Sequence, residues 1–322
     1  MLGEFERIAR FFAPLAGDWP GALGLIDDAA LVDLAAGRTL VVTADALVAG
    51  VHYPADEAAD LVAARLVRVN LSDLAAMGAR PLAYLITLAL PAEIDDEWLQ
   101  RFAGGLKREQ AAYHITLIGG DSVATPGPTC LSLTALGSVP EGRALRRDGA
   151  QAGDLVLVSG SIGDAALGLI ALKGDLDGVG AKHRAQLVDR YRLPRPRVAL
   201  GERLVGLAHA ALDVSDGLVA DLAHICTASG VGAVIEADRL PLSPAARAAL
   251  PAVGLAPVLG GGDDYELLFT IAPGNGGRVA ELARSLDLAL TEIGRIRAGT
   301  GVTVVDRDGR EIPVPRPGYR HR

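Results

Sequence analysis

The chain runs to 322 residues, half of them apolar, with 39 glycines, 18 prolines and few aromatics. It has material for two hydrophobic cores built from Ala, Leu, Val and Ile, and it is not a disordered chain. Its formal net charge of -8 provides no broad basic field to collect phosphates, which argues against general binding of nucleic acid.

The first expected element is an amphipathic helix over 4–13. It carries Glu4 and Glu6 and lacks a continuous apolar run after a basic start, so it does not read as a signal peptide, and a cytoplasmic location is the default. RTLVVTADALV, from Arg38, has the branched residues of a buried strand. A helix is expected over 57–77, with apolar residues such as Leu66 and Val69 at helical spacing and Gly78 as its stop signal. A strand follows at Ala83–Leu90. Its apolar run lies between Pro81 and Pro91 and is far too short to span a membrane. A helix starts near Asp95 and runs toward Tyr113. HITLIGGDS, from His114, is strand then glycine turn, and TCLSLTALGSV, from Thr129, is another strand. Residues 38–139 therefore read as strand, helix, strand, helix, strand, strand, an α/β or α+β domain with a mixed sheet.

The charged, weakly periodic stretch Arg143–Gly153 reads as a junction, dividing an N-terminal domain over 1–142 from a C-terminal one over 143–322. A strand follows Asp154, Gly160 to Gly163 makes a turn, and Asp164 opens a helix. AALDVSDGLVADLAHICTASG leads from a short strand into a helix ending at Gly230. Further strands are expected at 231–236, 266–271 and 302–306, with a helix over 278–286 between the last two. The tail from Pro313, rich in proline and arginine, reads as irregular. The two cysteines, Cys130 and Cys226, make no disulfide framework and no zinc site.

Acidic residues carry the chemical signal. Asp27 and Asp28 stand in LIDDAAL, Asp45 in VVTADAL, Asp73 in VNLSDLAAMGA, Asp121 in LIGGDS, and Asp213 and Asp216 in LDVSDG. Asp45, Asp121 and Asp213 each follow a strand-like apolar run, where active sites of open α/β sheets collect. Converging carboxylates would repel one another unless magnesium and substrate phosphates bound among them. Taken singly, each Asp could equally cap a turn or a helix. IGGDS at 118–122, GSIG at 160–163 and GGGDDYELLFT at 260–270 are glycine turns compatible with phosphate, but none matches a P-loop or dinucleotide fingerprint. Arg143, Arg146 and Arg147 lie at the junction, where a guanidinium could hold phosphate oxygens or simply face solvent. His52 follows the Asp45 strand through a glycine turn.

These motifs occur together in a known order. GEFERIARFF, DDAAL, TADALVAGVHY, VNLSDLAAMGARP, LIGGDS, GRALRRDGA, RPRVALG, LDVSDGL and GGDDYELLFT span nearly the whole chain. They resemble the aminoimidazole ribonucleotide synthetase-like superfamily and, within it, the thiamine-monophosphate kinases. The resemblance implies phosphoryl transfer from ATP to thiamine phosphate, direct and in line, assisted by several Mg2+ ions. Carried over position by position, it implies metal ligands at Asp28, Thr43, Asp45, Asp73, Asp121, Asp213 and Asp216. Of these, Asp45, Asp73, Asp121 and Asp216 would stand closest to the transfer. Gly120, Asp121, Arg147 and Ser215 would contact ATP, and His52, Asp263 and Tyr319 the thiamine phosphate. It also implies a two-domain fold with nucleotide in the cleft, and a homodimer in which the N-terminal mixed sheet closes into a barrel. Three positions depart from the family pattern: Ile26 replaces a glycine, Ala44 a hydroxyl residue, and Asp263 a glutamate. The competing readings are another ATP-dependent synthetase of the superfamily and a noncatalytic nucleotide-binding protein.

Overall fold

The structure, a computed structural model, describes residues 3–17 and 19–319. The chain divides into two compact units: Met1–Leu74 with Ala79–Gly142, and Ala75–Gly78 with Arg143–Arg322.

The first unit opens with α1 (Glu4–Arg7), a π-helical turn at Ile8–Phe12 and a 3-10 turn at Ala13–Ala16. The single helix expected over 4–13 is thus broken, because Ala13 donates to Ile8 five residues back and Pro14 follows. Its sheet is built from β1 (Arg38–Val48), β2 (Arg80–Leu90), β3 (Thr116–Ala124) and β4 (Cys130–Pro140), in the order β1-β4-β2-β3. β4 is antiparallel to both neighbours and β2 is parallel to β3. Two helices, α2 (Ala59–Ala76) and α3 (Asp96–Tyr113), supply the rest of the core. Leu66, Leu71, Leu74, Phe102 and Leu106 are wholly buried. The helices cross closely at Gly105, where a Cβ would strike the backbone of Asp60, and are bridged by a two-pronged Arg68–Glu109 ion pair at 2.8 and 3.0 Å.

The expected barrel is corrected by this topology. β1 and β3 stand at opposite ends of the strand order, each with one strand neighbour. A barrel needs those ends hydrogen-bonded to each other, and the four-stranded sheet is open.

The second unit holds a six-stranded sheet in the order β10-β7-β9-β5-β8-β6. Its strands are β5 (Leu155–Ser159), β6 (Ala210–Asp213), β7 (Gly232–Glu236), β8 (Leu267–Ile271), β9 (Leu290–Arg297) and β10 (Gly301–Val305). β10 runs parallel to β7, and every other pairing is antiparallel. Side chains of β5 alternate between two separate cores: Val156 and Val158 enter one, Leu155 and Leu157 the other. A strand with both faces buried requires layers on both sides. These come from α4 (Asp164–Leu172), α5 (Ala181–Arg192), α6 (Val198–Leu204), α7 (Leu218–Ser229), α8 (Pro244–Val253), α9 (Ala256–Gly260) and α10 (Gly276–Leu286). β9, absent from the sequence expectation, reads LTEIGRIR; its two buried isoleucines, Ile293 and Ile296, stand three apart among charged residues and give no period-two signal. Among the described residues no helix is long and apolar enough to cross a membrane.

Asp264 is buried in this unit, and burial pushes its carboxyl up to about 8 against the lowering effect of the Gly163 and Ala165 N–H donors and of Arg190. A folded-state pKa above the unfolded 3.8 favours the protonated form. The contribution is therefore full below the unfolded value and is lost as pH rises through the folded one. Asp264→Asn does not ionise. The unfolding free energy of the native chain minus that of Asp264→Asn should fall steadily between about pH 5 and pH 8 in denaturant titrations. A flat difference would contradict the raised pKa.

Candidate functional site

The first unit brings together three of the expected acidic-site residues. β1 carries Thr43 and Asp45 on the face toward α2. The Thr43 hydroxyl donates to Asp73 Oδ2 of α2 at 2.6 Å, and the Asp45 N–H donates to Asn70 Oδ1 at 3.0 Å. Asn70 is wholly buried and its amide donates to Leu66 O at 2.9 Å. This residue was not singled out in the sequence. The signal was an amide-bearing residue of modest helix propensity between Val69 and Leu71, both on a buried stretch of α2. Past β1, the chain turns so that His52 Nδ1 accepts the Val48 N–H at 2.9 Å, which leaves Nε2 as the protonated ring nitrogen in the neutral form.

Asp121 stands elsewhere in this unit. Asp45 aligns with Leu133, Leu133 with Ile86, and Ile86 with Gly120, so Asp121 lies three strands away, roughly 14 Å. Asp121 pairs with exposed Thr87, whereas Asp45 pairs with buried Leu133, on the opposite face. Gly120 backs against the Ile86 carbonyl so closely that a Cβ would overlap it. Asp28 is exposed in a bend, with its N–H donated to Asp27 Oδ1 at 3.1 Å. Ile26 is 91% exposed.

The second unit gathers another set around the loop after β6. Asp213 ends that buried strand, and Ser215, Asp216 and Gly217 follow. All three of these N–H groups donate to one oxygen, Asp221 Oδ2, at 3.0, 3.1 and 3.0 Å. Asp221 sits in the first turn of α7 and reaches back over the residues that precede it, as acids at helix N-termini do. Burial pushes its carboxyl up to about 6, and the nearby Asp216 adds to the rise, while the three N–H donors oppose it. One turn further, His224 joins Asp216 and Asp221, with ligand atoms all within 4.8 Å of one another, a spacing that can hold a cation. Sequence reading missed Asp221 and His224; the available signal was their i, i+3 spacing on a helix that starts at the SDG turn.

Two further expected residues lie against this loop. Asp263 N–H donates to Ser215 O at 2.8 Å, and Tyr319 N–H to Asp216 O at 2.9 Å. Asp263 has φ of 71°. The Tyr319 side chain is half exposed. Arg147 is exposed, and its carbonyl accepts the Ser229 hydroxyl at 3.0 Å.

With this geometry in place, the class is defined. Residues 26–139 match the AIR synthase related protein N-terminal domain, and residues 151–307 match the AIR synthase related protein C-terminal domain. A thiamine-monophosphate kinase of Caulobacter vibrioides is 43% identical over 99% of this chain and 90% of its own length. A crystal structure of thiamine-monophosphate kinase from Stenotrophomonas maltophilia superposes with a TM-score of 0.86 at 45% identity, covering 97% of this chain and 98% of that one. AaThiL complexed with AMPPCP and TMP superposes at 0.79 and 33% identity, covering 92% and 91%. The chain belongs to the thiamine-monophosphate kinase family of AIR synthase related proteins.

Replacing Asp221 by Ala would leave three neighbouring N–H groups without their acceptor. The expected loss is roughly 2–4 kcal/mol of unfolding free energy in denaturant titration, and less for Asp221→Asn, which keeps an acceptor oxygen.

Proposed function

We propose that this protein transfers the terminal phosphoryl group of ATP to the phosphate of thiamine monophosphate, giving ADP and thiamine diphosphate. The observation that carries the reading is the likeness to thiamine-monophosphate kinases over almost the entire chain, with the acidic motifs in place. Phosphoryl transfer asks little covalent chemistry of a protein; it asks for positioning and for charge to offset the crowded phosphates. The attacking phosphate oxygen is already anionic, so no side chain has to act as a strong base.

Asp28, Thr43, Asp45, Asp73, Asp121, Asp213 and Asp216 are the residues that would hold Mg2+. They are oxygen donors, the ligand type this ion takes, and the Thr43–Asp73 contact at 2.6 Å already sets two of them side by side. Bound Mg2+ supplies positive charge to the phosphoryl oxygens as the bond to ADP breaks. Gly120 and Asp121 are nucleotide contacts in this reading, with Arg147 and Ser215. His52, Asp263 and Tyr319 take the acceptor. His52 Nδ1 is occupied by a backbone N–H, so the Nε2–H is the group that donates to phosphate. The Tyr319 ring suits the flat cationic heterocycle.

The working form in this proposal is a cytoplasmic homodimer. On the face of the first unit's sheet that carries Asp121, Leu40, Val42 and Leu85 are 38%, 55% and 37% exposed. Apolar side chains gathered on one sheet face favour association.

Purified protein should convert thiamine monophosphate to the diphosphate only with ATP and Mg2+, and a chelator should abolish turnover. Folded protein that binds ATP and Mg2+ but never makes the diphosphate would overturn the reading. Asp45→Asn should lower kcat by about 100-fold or more while the circular dichroism spectrum is retained.

A further inference from the structure

The segment Gly261–Glu266 between α9 and β8 carries Asp263 and is held in an unusual way. Asp263 and Tyr265 have φ of 71° and 51°, a region that residues with a Cβ enter only when their surroundings compel it. The residues between and after them, Asp264 and Glu266, are buried. Asp264 accepts N–H groups from Gly163 at 2.6 Å and Ala165 at 3.1 Å, at the start of α4. Glu266 is gripped by the Arg197 fork at 2.6 and 2.5 Å, by Arg190 Nη2 at 2.9 Å and by the Ser159 hydroxyl at 2.6 Å. The backbone is stitched to the loop after β6 as well: Tyr265 N–H to Val214 O at 2.8 Å and Val214 N–H to Glu266 O at 2.9 Å.

This cluster is poorly built as a stabiliser. Arg190, with a side chain 5% exposed, has an Nη1 without a hydrogen-bond partner. Burying guanidiniums and carboxylates together gains less than apolar packing would. What such a cluster does provide is direction, because the Arg197 fork fixes the carboxylate plane through two bonds.

We propose that Glu266, Arg197 and Arg190 are positioning residues that set the affinity for the phosphate acceptor by holding Asp263 in its left-handed conformation. The proposal rests on Asp263 being an acceptor contact. A short side chain makes the position sensitive, because Asp263 has one rotatable methylene and a small backbone shift cannot be made up by the side chain.

The test is steady-state kinetics of Arg197→Lys, which keeps the charge and removes the fork, with folding checked by circular dichroism and thermal melting. The expected result is a rise of about tenfold in KM for thiamine monophosphate, with kcat and KM for ATP changed less than about threefold. Glu266→Gln, similar in shape, should give the same split and serves if Arg197→Lys does not fold. Unchanged KM for thiamine monophosphate in a folded variant overturns the proposal. So does a loss spread evenly over kcat and both KM values, which is the mark of general damage. Asp263→Ala separates the two layers: it should raise the same KM at least as much. If it does not, the assignment of Asp263 falls, and the positioning role with it; if it does while the Arg197 and Glu266 variants do not, only the positioning role falls.

Discussion

A buried carboxylate needs donors, and much of this structure is the arrangement of those donors. Asp221 has three successive N–H groups, Asp264 two, and Glu266 two arginines and a serine. Burial favours the neutral acid and the donors favour the ionised one; at Asp221 and Asp264 burial outweighs the donors, which still satisfy the carboxyl oxygens. Here the requirement has a structural by-product. The donors to Asp221 and Asp264 are backbone N–H groups where α7 and α4 begin, and each acid pins the segment that satisfies it. The loops carrying Ser215, Asp216 and Asp263 are ordered because acids that take no part in the proposed chemistry are anchored nearby.

That division of labour explains what could be read from the sequence. The elements from Arg38 to Val139 followed from branched apolar runs and glycine stops, and the mixed sheet came with them. The broken N-terminal helix did not, because π and 3-10 turns keep nearly the same apolar spacing as an α-helix. β9 was hidden by Thr291, Glu292, Arg295 and Arg297, which leave only two isoleucines, three apart, on a strand whose backbone also approaches β7 closely at Gly294. At the site, the acids displayed beside turns were legible, because an Asp after a strand stands out. The acids and amide that hold them, Asn70, Asp221, Asp264 and Glu266, were not. Their meaning lies in which N–H they face, and that depends on tertiary contacts.

The expected barrel shows the limit of carrying an architecture over from a family. The strand content and order fit a two-domain AIR synthase related chain, yet the four strands end at two edges. The same topology divides the acidic residues of the first unit. Thr43, Asp45 and Asp73 sit together, and Asp121 stands on the far strand. Sequence motifs record which residues a site requires without recording how far apart one chain places them.

β5 lends itself to a different kind of reasoning. All five of its residues are buried, and alternate ones belong to different cores. It is a common wall between two compartments. A change in volume at Val156 is felt by one helical layer and at Leu157 by the other, and the backbone between them transmits each adjustment. Over evolutionary time the two layers are therefore not free to vary independently: substitutions accepted in one compartment alter which are tolerated in the other. The strand also ends at Ser159, whose hydroxyl bonds Glu266, so that coupling extends from the packing of the cores to the loop that carries Asp263.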